Sequence, residues 1–192
     1  RNIGYTDPDS GFGCDTIEII NKINTQSPDI ALGVDIGGAG DQGIMFGFAC
    51  KDTTDLMPAP IQMAHALTYR LAEVRKQKYT DVLGPDGKAQ VSVQYDGVDR
   101  VVGVDTIVVS TQHAANVTLD EVKDIVKNEV IYELFDRRRI GPDTKIWVNP
   151  TGRFVIGGPM GDTGLTGRKI IVDSYGGFSR HGGGLWAGKR TA

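Results

Sequence analysis

Apolar side chains recur at the three- and four-residue spacing of a helix in three stretches of the chain. The first, residues 15–24, predicts a short amphipathic helix. The second begins near Pro58 and Pro60, since proline is favourable in a first helical turn, and runs to about Lys76. The third begins at Thr118-Leu-Asp-Glu121, a capping box in which each side chain can satisfy a free amide. The apolar positions of the three stretches are Ile17, Ile20 and Ile23; Ile61, Ala64, Leu67, Leu71 and Val74; and Val122, Ile125, Val126, Val130 and Leu134.

Other segments alternate with a period of two or form short apolar runs, and both patterns predict strands. Val91, Val93 and Tyr95 alternate with polar residues, Asp96-Gly97 supplies a turn, and residues 101–110 return as the second strand of a hairpin. Further strands are predicted over residues 44–50, 145–148, 153–156 and 168–172. Helices and strands mix without strict alternation, which predicts an α+β fold with mixed sheet-and-helix layers.

The composition is that of a globular protein and argues against several classes. The chain has 192 residues, of which 40% are hydrophobic and 23% charged, so it can bury a core. A net charge of −3 argues against a general nucleic-acid binder, and no apolar run approaches the roughly 20 residues of a membrane helix. Cys14 and Cys50 lack the spacing of a disulfide framework or a zinc site, which favours the cytoplasm.

Glycine is unusually frequent, with 26 residues, and it concentrates in three clusters. The first, Gly38-Ala-Gly-Asp-Gln-Gly43, matches GxGxxG, but the apolar run behind it predicts a strand where a dinucleotide site needs a helix. The clusters at 157–169 and 176–189 combine glycines with arginine and lysine, which suits phosphate binding as well as it suits plain turn geometry. Asp41 and Asp162 lie within clusters, where a carboxylate costs stability unless it binds a cation, an ammonium group or a metal.

The sequence predicts different roles for the three histidines. His65 lies in an amphipathic helix and is expected to be structural. His113 follows a strand, where turn capping and site lining are equally open, whereas His181 beside Arg180 and three glycines favours a site role. The run Arg137-Arg-Arg139 ends a helix and is expected to be a solvated surface that complements the helix dipole.

Long strings of the sequence closely resemble the methionine adenosyltransferase (S-adenosylmethionine synthetase) family. They are Gly38-Ala-Gly-Asp-Gln-Gly43, Asn149-Pro-Thr-Gly-Arg-Phe-Val-Ile-Gly-Gly-Pro-Met-Gly-Asp162, Gly164-Leu-Thr-Gly-Arg-Lys-Ile-Ile-Val-Asp173 and Arg180-His-Gly-Gly-Gly184. Shorter strings, among them Gln26-Ser-Pro-Asp29 and Ser110-Thr-Gln-His113, are also similar, in the same order along the chain. The resemblance implies a fold of three similar α+β domains. Residues 1–35 would end the first domain, 36–156 form the central one and 157–192 begin the third.

The resemblance implies synthesis of S-adenosylmethionine from L-methionine and ATP, with displacement of the triphosphate and its hydrolysis to phosphate and diphosphate. Methionine would be bound by Gln26, Asp41 and Asp162. ATP would be bound by Asp86, Lys88, Arg153, Phe154, Asp162, Arg168, Lys169 and Lys189. Lys169, Asp162 and Arg168 are the candidate catalytic residues. Implied cofactors are Mg2+ and K+, and the implied assembly is a homodimer or homotetramer with active sites between subunits.

The sequence departs from the family pattern in three places. The opening His-Pro-Asp segment is missing, Lys189 is followed by Arg190-Thr-Ala192 instead of a magnesium aspartate, and Asp35-Ile36 replaces a longer mobile loop. These departures indicate missing residues, so no metal ligand is expected in this sequence and the chain alone is expected to be inactive. The alternative is a catalytically incomplete fragment or regulatory-type subunit that retains the fold and dimer interface. A simple nucleotide-binding module would not account for Gln26 and Asp41.

Overall fold

A computed structural model describes residues 1–135 and 140–182 and contains one mixed three-stranded sheet with helices. The strands are β1 (Leu83–Tyr95), β2 (Val101–His113) and β3 (Lys145–Val148), in the order β1-β2-β3. β1 and β2 are antiparallel, whereas β3 runs parallel to β2. The helices are α1 (Pro28–Val34), α2 (Ala59–Lys78), α3 (Leu119–Ile125), a π-helical segment (Val126–Ile131), α4 (Tyr132–Leu134) and two 3-10 turns (Pro8–Ser10 and Gly158–Met160). The predicted α+β class is confirmed.

The core forms where α2 and the helical segment 119–134 pack on the sheet. The stripe predicted for α2 is the face it buries, with Leu67 and Val74 no more than 1% exposed. Ile107 and Val109 of β2 and Val122, Val126 and Val130 of the helical segment complete the centre of this core. Each such side chain contributes about 1.5–3 kcal/mol when fully buried. Within the described ranges, no helix is both long enough and apolar enough to span a bilayer.

The predicted hairpin is confirmed, although its turn is longer than two residues. Asp96 N–H donates to the Arg100 carbonyl at 2.9 Å, which closes a loop over residues 96–100. The Asp96 carboxylate accepts the amides of Val98 and Arg100, and these bonds hold the pKa of Asp96 below its ordinary value. Asp99, not Gly97, adopts the positive φ, at 59°. The side chain of Asp96 therefore stabilises a turn that the Asp-Gly pair alone did not specify.

The capping box at the start of α3 is formed as predicted. The Thr118 hydroxyl accepts the Glu121 amide at 3.3 Å, and the Glu121 carboxylate accepts the Thr118 amide at 2.9 Å. Hydrogen bonds from the backbone and then the side chain of Thr118 lower the pKa of Glu121. The helix continues through Val126–Ile131 in π geometry, so the apolar stripe from Val122 onward stays against the sheet.

Thr118→Ala is expected to destabilise the protein by about 1 kcal/mol, because it removes the cap of an otherwise free amide. The folded-state pKa of Glu121 is lowered, so its contribution is fully present above the ordinary glutamate pKa and is lost as pH falls through the lowered value. The difference from the parent protein should therefore shrink in acid. Urea unfolding at several pH values measures this, with the exposed Thr80→Ala as control. An equal loss in both variants would contradict the capping role.

Two elements predicted before α2 are wrong. Residues 15–24 form no helix, and Ile19, Ile20 and Ile23 are 70–89% exposed. A β-branched segment this short gains too little without an apolar partner to offset the entropy of ordering it. Residues 44–50 form no strand, and Met45 is 95% exposed, because this run pairs with neither edge of the sheet. The GxGxxG cluster still lacks the helix behind it that a dinucleotide site requires.

The strands predicted after β3 are also replaced by other structure. Residues 153–156 do not form a ladder, because individual side chains of β2 satisfy much of their backbone. Residues 168–172 form turns: Gly167 has φ 78°, and Asp173 N–H donates to the Lys169 carbonyl at 2.8 Å. Short apolar runs there satisfied the strand pattern, but they pair with none of the three strands found in the described residues.

Candidate functional site

Polar residues occupy the inward face of β2 at its C-terminal end. Thr111 and His113 follow the buried Ile107 and Val109 at alternate positions and are 0% and 3% exposed. Thr111 is paired by Asn149, which lies directly after β3: the Asn149 side chain accepts the Thr111 amide at 2.8 Å and donates to the Thr111 carbonyl at 3.0 Å. An asparagine side chain thus extends the sheet hydrogen bonding one step beyond β3 and fixes the start of the glycine-rich segment.

His113 binds both main-chain groups of Phe154. The His113 amide donates to the Phe154 carbonyl at 2.9 Å, and the Phe154 amide donates to His113 Nε2 at 3.1 Å. His113 Nδ1 lies 2.9 Å from the Ala114 carbonyl, so this network requires the neutral tautomer with its proton on Nδ1. The sequence left two roles open for His113, turn capping and site lining. In the structure His113 binds the backbone of Phe154, a candidate site residue.

Asp86 and Gln112 connect the start of β1 to the same glycine-rich segment. Asp86 Oδ2 accepts the Gly158 amide at 2.9 Å. Gln112 donates to the Val155 carbonyl at 2.9 Å and accepts the Asp86 amide at 3.3 Å. Asp86, Gln112 and the segment from Phe154 to Gly158 therefore form one connected cluster, hereafter the hairpin-end cluster.

Gly157 and Gly158 are required by close approach. A Cβ on Gly157 would lie 2.8 Å from Phe154 Cε2 and 3.1 Å from Asp86 Oδ2. A Cβ on Gly158, whose φ is +61°, would collide with the Tyr5 hydroxyl. The two glycines let the backbone pass between Phe154, Asp86 and Tyr5.

A cavity of about 510 Å³ lies beside this cluster, between the N-terminal segment and residues 155–160. Its wall includes Tyr5, which packs edge-to-face on Phe12 with ring centroids 5.4 Å apart. Burial, and then the charge of Asp86, raise the pKa of Tyr5. Arg75, only 8% exposed, donates to the Ile3 carbonyl at 2.6 Å, and burial lowers its pKa. The N-terminal segment is thereby fastened next to the hairpin-end cluster.

Some of the candidate ATP-binding residues belong to the hairpin-end cluster and others lie outside it. Asp86 and Phe154 belong to the cluster, Phe154 being half-buried and its neighbour Arg153 exposed. Lys88 is exposed on β1, opposite Ser110 in the strand register. Lys189, like the run Arg137-Arg-Arg139, lies outside the described residues.

The candidate methionine residues lie on another part of the chain. Gln26 and the Asp41 segment are neighbours, because a Cβ on Gly40 would lie 3.9 Å from Gln26 Nε2. Both Gln26 and Asp41 are exposed, and Asp41 Oδ1 accepts the Gln42 amide at 2.8 Å. This hydrogen bond stays within the glycine-rich loop that follows α1, whereas the hairpin-end cluster is built from β1, β2 and residues 154–158.

Asp162, Arg168 and Lys169 are exposed on turns beyond the 3-10 turn Gly158–Met160. The Asp162 amide donates to the Gly158 carbonyl at 3.2 Å, which ties this carboxylate to the hairpin-end cluster through the backbone. None of the ion pairs found in the described segments uses any of the three side chains. Their charges face solvent, where an anionic ligand could reach the two cations.

No group of three or more histidine, cysteine, aspartate or glutamate side chains in the described parts of the chain could hold a metal ion. Cys14 and Cys50 are free and half-buried. His65 is exposed, with Nε2 3.1 Å from the Val172 carbonyl, and joins α2 to the C-terminal turns. The described residues therefore do not by themselves supply a metal site with three or more such protein ligands.

Gln112, Tyr5 and Arg75 were not singled out from the sequence. For Gln112 the only signal lay in its neighbours: Thr111 and His113 are polar residues that continue the inward face of a strand whose earlier inward positions are apolar. Polar side chains in such positions need hydrogen-bond partners. For Tyr5 and Arg75 periodicity holds no such signal, because Arg75 binds the carbonyl of Ile3 at the other end of a 72-residue separation and Tyr5 lies against the distant Gly158.

Comparisons with known proteins cover nearly the whole chain. A family model described as S-adenosylmethionine synthetase, central domain, matches residues 36–154. A second, described as S-adenosylmethionine synthetase, C-terminal domain, matches residues 156–192. A curated S-adenosylmethionine synthase from Desulfosudis oleivorans (strain DSM 6200 / JCM 39069 / Hxd3) is 56% identical over 197 residues. The alignment covers 98% of this chain and 50% of that protein, so the chain spans about half the length of this relative.

Proposed function

Because the chain belongs to the S-adenosylmethionine synthetase family, we propose that the protein containing it makes S-adenosylmethionine from L-methionine and ATP. The observation that carries this proposal is the hairpin-end cluster, in which Phe154, Asp86 and two close-packed glycines meet beside a cavity. The activity is assigned to the whole polypeptide, since the chain spans about half of its curated relative.

The reaction places two demands on the protein. The methionine sulfur donates a lone pair to C5′ of the ribose, and the C5′–oxygen bond breaks with its electrons passing to the triphosphate. Sulfur and C5′ must be held in line, and the negative charge developing on the leaving triphosphate must be neutralised. Hydrolysis of the triphosphate to phosphate and diphosphate then follows.

Phe154 is proposed to stack on adenine with Arg153 beside it. Its half-buried ring rests against Gly157, and its main chain is bound at both polar groups, so the ring is held ready before a ligand arrives. Base stacking on an aromatic side chain contributes about 1–3 kcal/mol. Asp86 and Lys88 are proposed to contact ATP from β1.

Arg168, Lys169 and Lys189 are proposed to bind the triphosphate, and Arg168 and Lys169 to act in catalysis by neutralising its charge. Arg168 and Lys169 are exposed and take part in none of the ion pairs of the described segments, which supports this role. Asp162, with its amide bound to Gly158, is proposed to lie where methionine and nucleotide meet and to be the third catalytic residue.

Methionine is proposed to be bound by Gln26 and Asp41, with the Asp41 carboxylate pairing with its ammonium group. Their proximity through Gly40 supports a shared role, as does the exposure of both side chains. For Asp41 and the hairpin-end cluster to serve one reaction, they must meet around a common substrate. An active site between two subunits would meet this requirement, and we propose a homodimer or homotetramer in the cytoplasm.

Mg2+ and K+ are proposed as cofactors on the family resemblance. When bound they would supply positive charge to the triphosphate. Since the described residues contain no group of three or more histidine, cysteine, aspartate or glutamate side chains that could hold a metal ion, no ligand among them is assigned to either cation.

The test is product formation by the intact polypeptide with ATP, L-methionine, MgCl2 and KCl, followed by mass detection of S-adenosylmethionine and phosphate release. Both products are expected, and neither without methionine. Folded protein that binds ATP but forms no product would replace the proposal with the regulatory-type subunit. Protein that binds neither substrate would remove both.

Asp41→Asn is expected to raise the KM for methionine by roughly 10- to 100-fold, because a hydrogen bond between charged groups contributes about 1.5–3 kcal/mol. The KM for ATP should change less than about threefold, because a threefold change in affinity corresponds to only about 0.65 kcal/mol. Steady-state kinetics of the intact polypeptide measure both values, and the exposed Asp81→Asn serves as a matched control. An unchanged KM for methionine would remove Asp41 from the methionine site.

A further inference from the structure

We propose that His113 is a positioning residue that orients Phe154 for the nucleotide; this inference rests on the proposed function. One side chain and its own amide bind both polar groups of the Phe154 main chain, at 3.1 and 2.9 Å. His113 is 3% exposed, so its ring is reserved for these internal contacts and does not reach a substrate in solvent.

Other residues of the hairpin-end cluster also fix the backbone and the ring of Phe154. Gln112 binds the next carbonyl, that of Val155, at 2.9 Å, and Gly157 permits the Phe154 ring to approach within a distance that a Cβ would prevent. The backbone on both sides of the ring is therefore set by the end of β2. Because the stacking energy depends on ring placement, a small rotation of the Phe154 main chain would weaken binding of the base.

The matched variants are His113→Met and His113→Gln. Methionine has similar length but no hydrogen-bond acceptor adequate for the Phe154 amide, whereas the glutamine amide oxygen can reach the position of Nε2 and accept it. In the intact enzyme, His113→Met is expected to raise the KM for ATP roughly tenfold, equivalent to part of one stacking interaction. His113→Gln is expected to bring the KM for ATP most of the way back to the parent value. The KM for methionine should be little changed in both variants.

This pattern distinguishes positioning from stability. A variant that only unfolds more easily lowers the concentration of active enzyme, which lowers the apparent kcat and leaves the KM for ATP unchanged. Equal KM values for ATP in His113→Met and the parent enzyme would therefore overturn the inference. A KM for ATP as high in His113→Gln as in His113→Met would overturn it as well.

Phe154→Ala completes a double-mutant cycle. If His113 acts through the ring, His113→Met should no longer change the KM for ATP in the Phe154→Ala background. Full additivity of the two effects would overturn the inference while leaving Phe154 in the nucleotide site. An unchanged KM for ATP in Phe154→Ala alone would overturn both the inference and the nucleotide role of Phe154, whereas failure of product formation by the parent enzyme would remove the proposed function itself.

Discussion

Lys169→Ala in the intact enzyme is expected to lower kcat by roughly 100- to 1,000-fold, the loss typical when one preorganised partner of a developing negative charge is removed. The reason is that the triphosphate gains charge as its bond to C5′ breaks, and Lys169 is proposed to meet that charge. Lys169 is exposed on a turn and takes part in none of the ion pairs of the described segments. Its loss should therefore change the free energy of unfolding by no more than about 0.5 kcal/mol.

Single-turnover and steady-state kinetics, together with urea unfolding, measure the two quantities on the same protein. Lys76→Ala is the matched control, because Lys76 is an exposed lysine in the last turn of α2 that has no proposed role in the site. Asp162→Asn should resemble Lys169→Ala, with low turnover and nearly unchanged stability. Near-normal turnover in either variant would remove that residue from the site.

Asn149→Ala is expected to have the largest effect on folding, about 3 kcal/mol of lost stability. The side chain of Asn149 satisfies both main-chain groups of the buried Thr111, and an alanine would leave an amide and a carbonyl without partners. Asn149 also has φ 44°, a conformation that asparagine tolerates better than alanine. The two costs add in the same direction.

Asn149→Gly separates these costs, because glycine accepts the positive φ but cannot make the hydrogen bonds. It should remain destabilised, though by less than Asn149→Ala, in urea unfolding of the intact protein. Thr151→Ala is the nearby control, because Thr151 is exposed two positions further along the same turn. Equal stability of Asn149→Ala and Thr151→Ala would show that the Thr111 contacts contribute nothing.

Sequence patterns predicted an element correctly where the pattern of the segment itself specifies that element. The α2 stripe marks the face that packs on the sheet, the alternation of the hairpin specifies contacts between adjacent strands, and the Thr118–Glu121 capping box specifies a contact within one helical turn. The resemblance to the family was likewise readable from strings such as that from Asn149 to Asp162, and the comparisons confirm it. The roles assigned to Asp41, Lys169 and the other site residues stay predictions.

Patterns failed where an element needed a distant partner. Ile20 and Met45 carry the apolar character of a helix and a strand, yet both are exposed because no surface covers them in the described structure. The sequence by itself determined the α+β class, the central helix and hairpin, and the family. Only the tertiary structure decided that His113 and Gln112 bind the segment around Phe154 and that Asn149 binds Thr111, because those hydrogen bonds join residues about 40 positions apart. Periodicity and spacing report contacts between near neighbours, whereas such partners are chosen only when the chain folds back on itself.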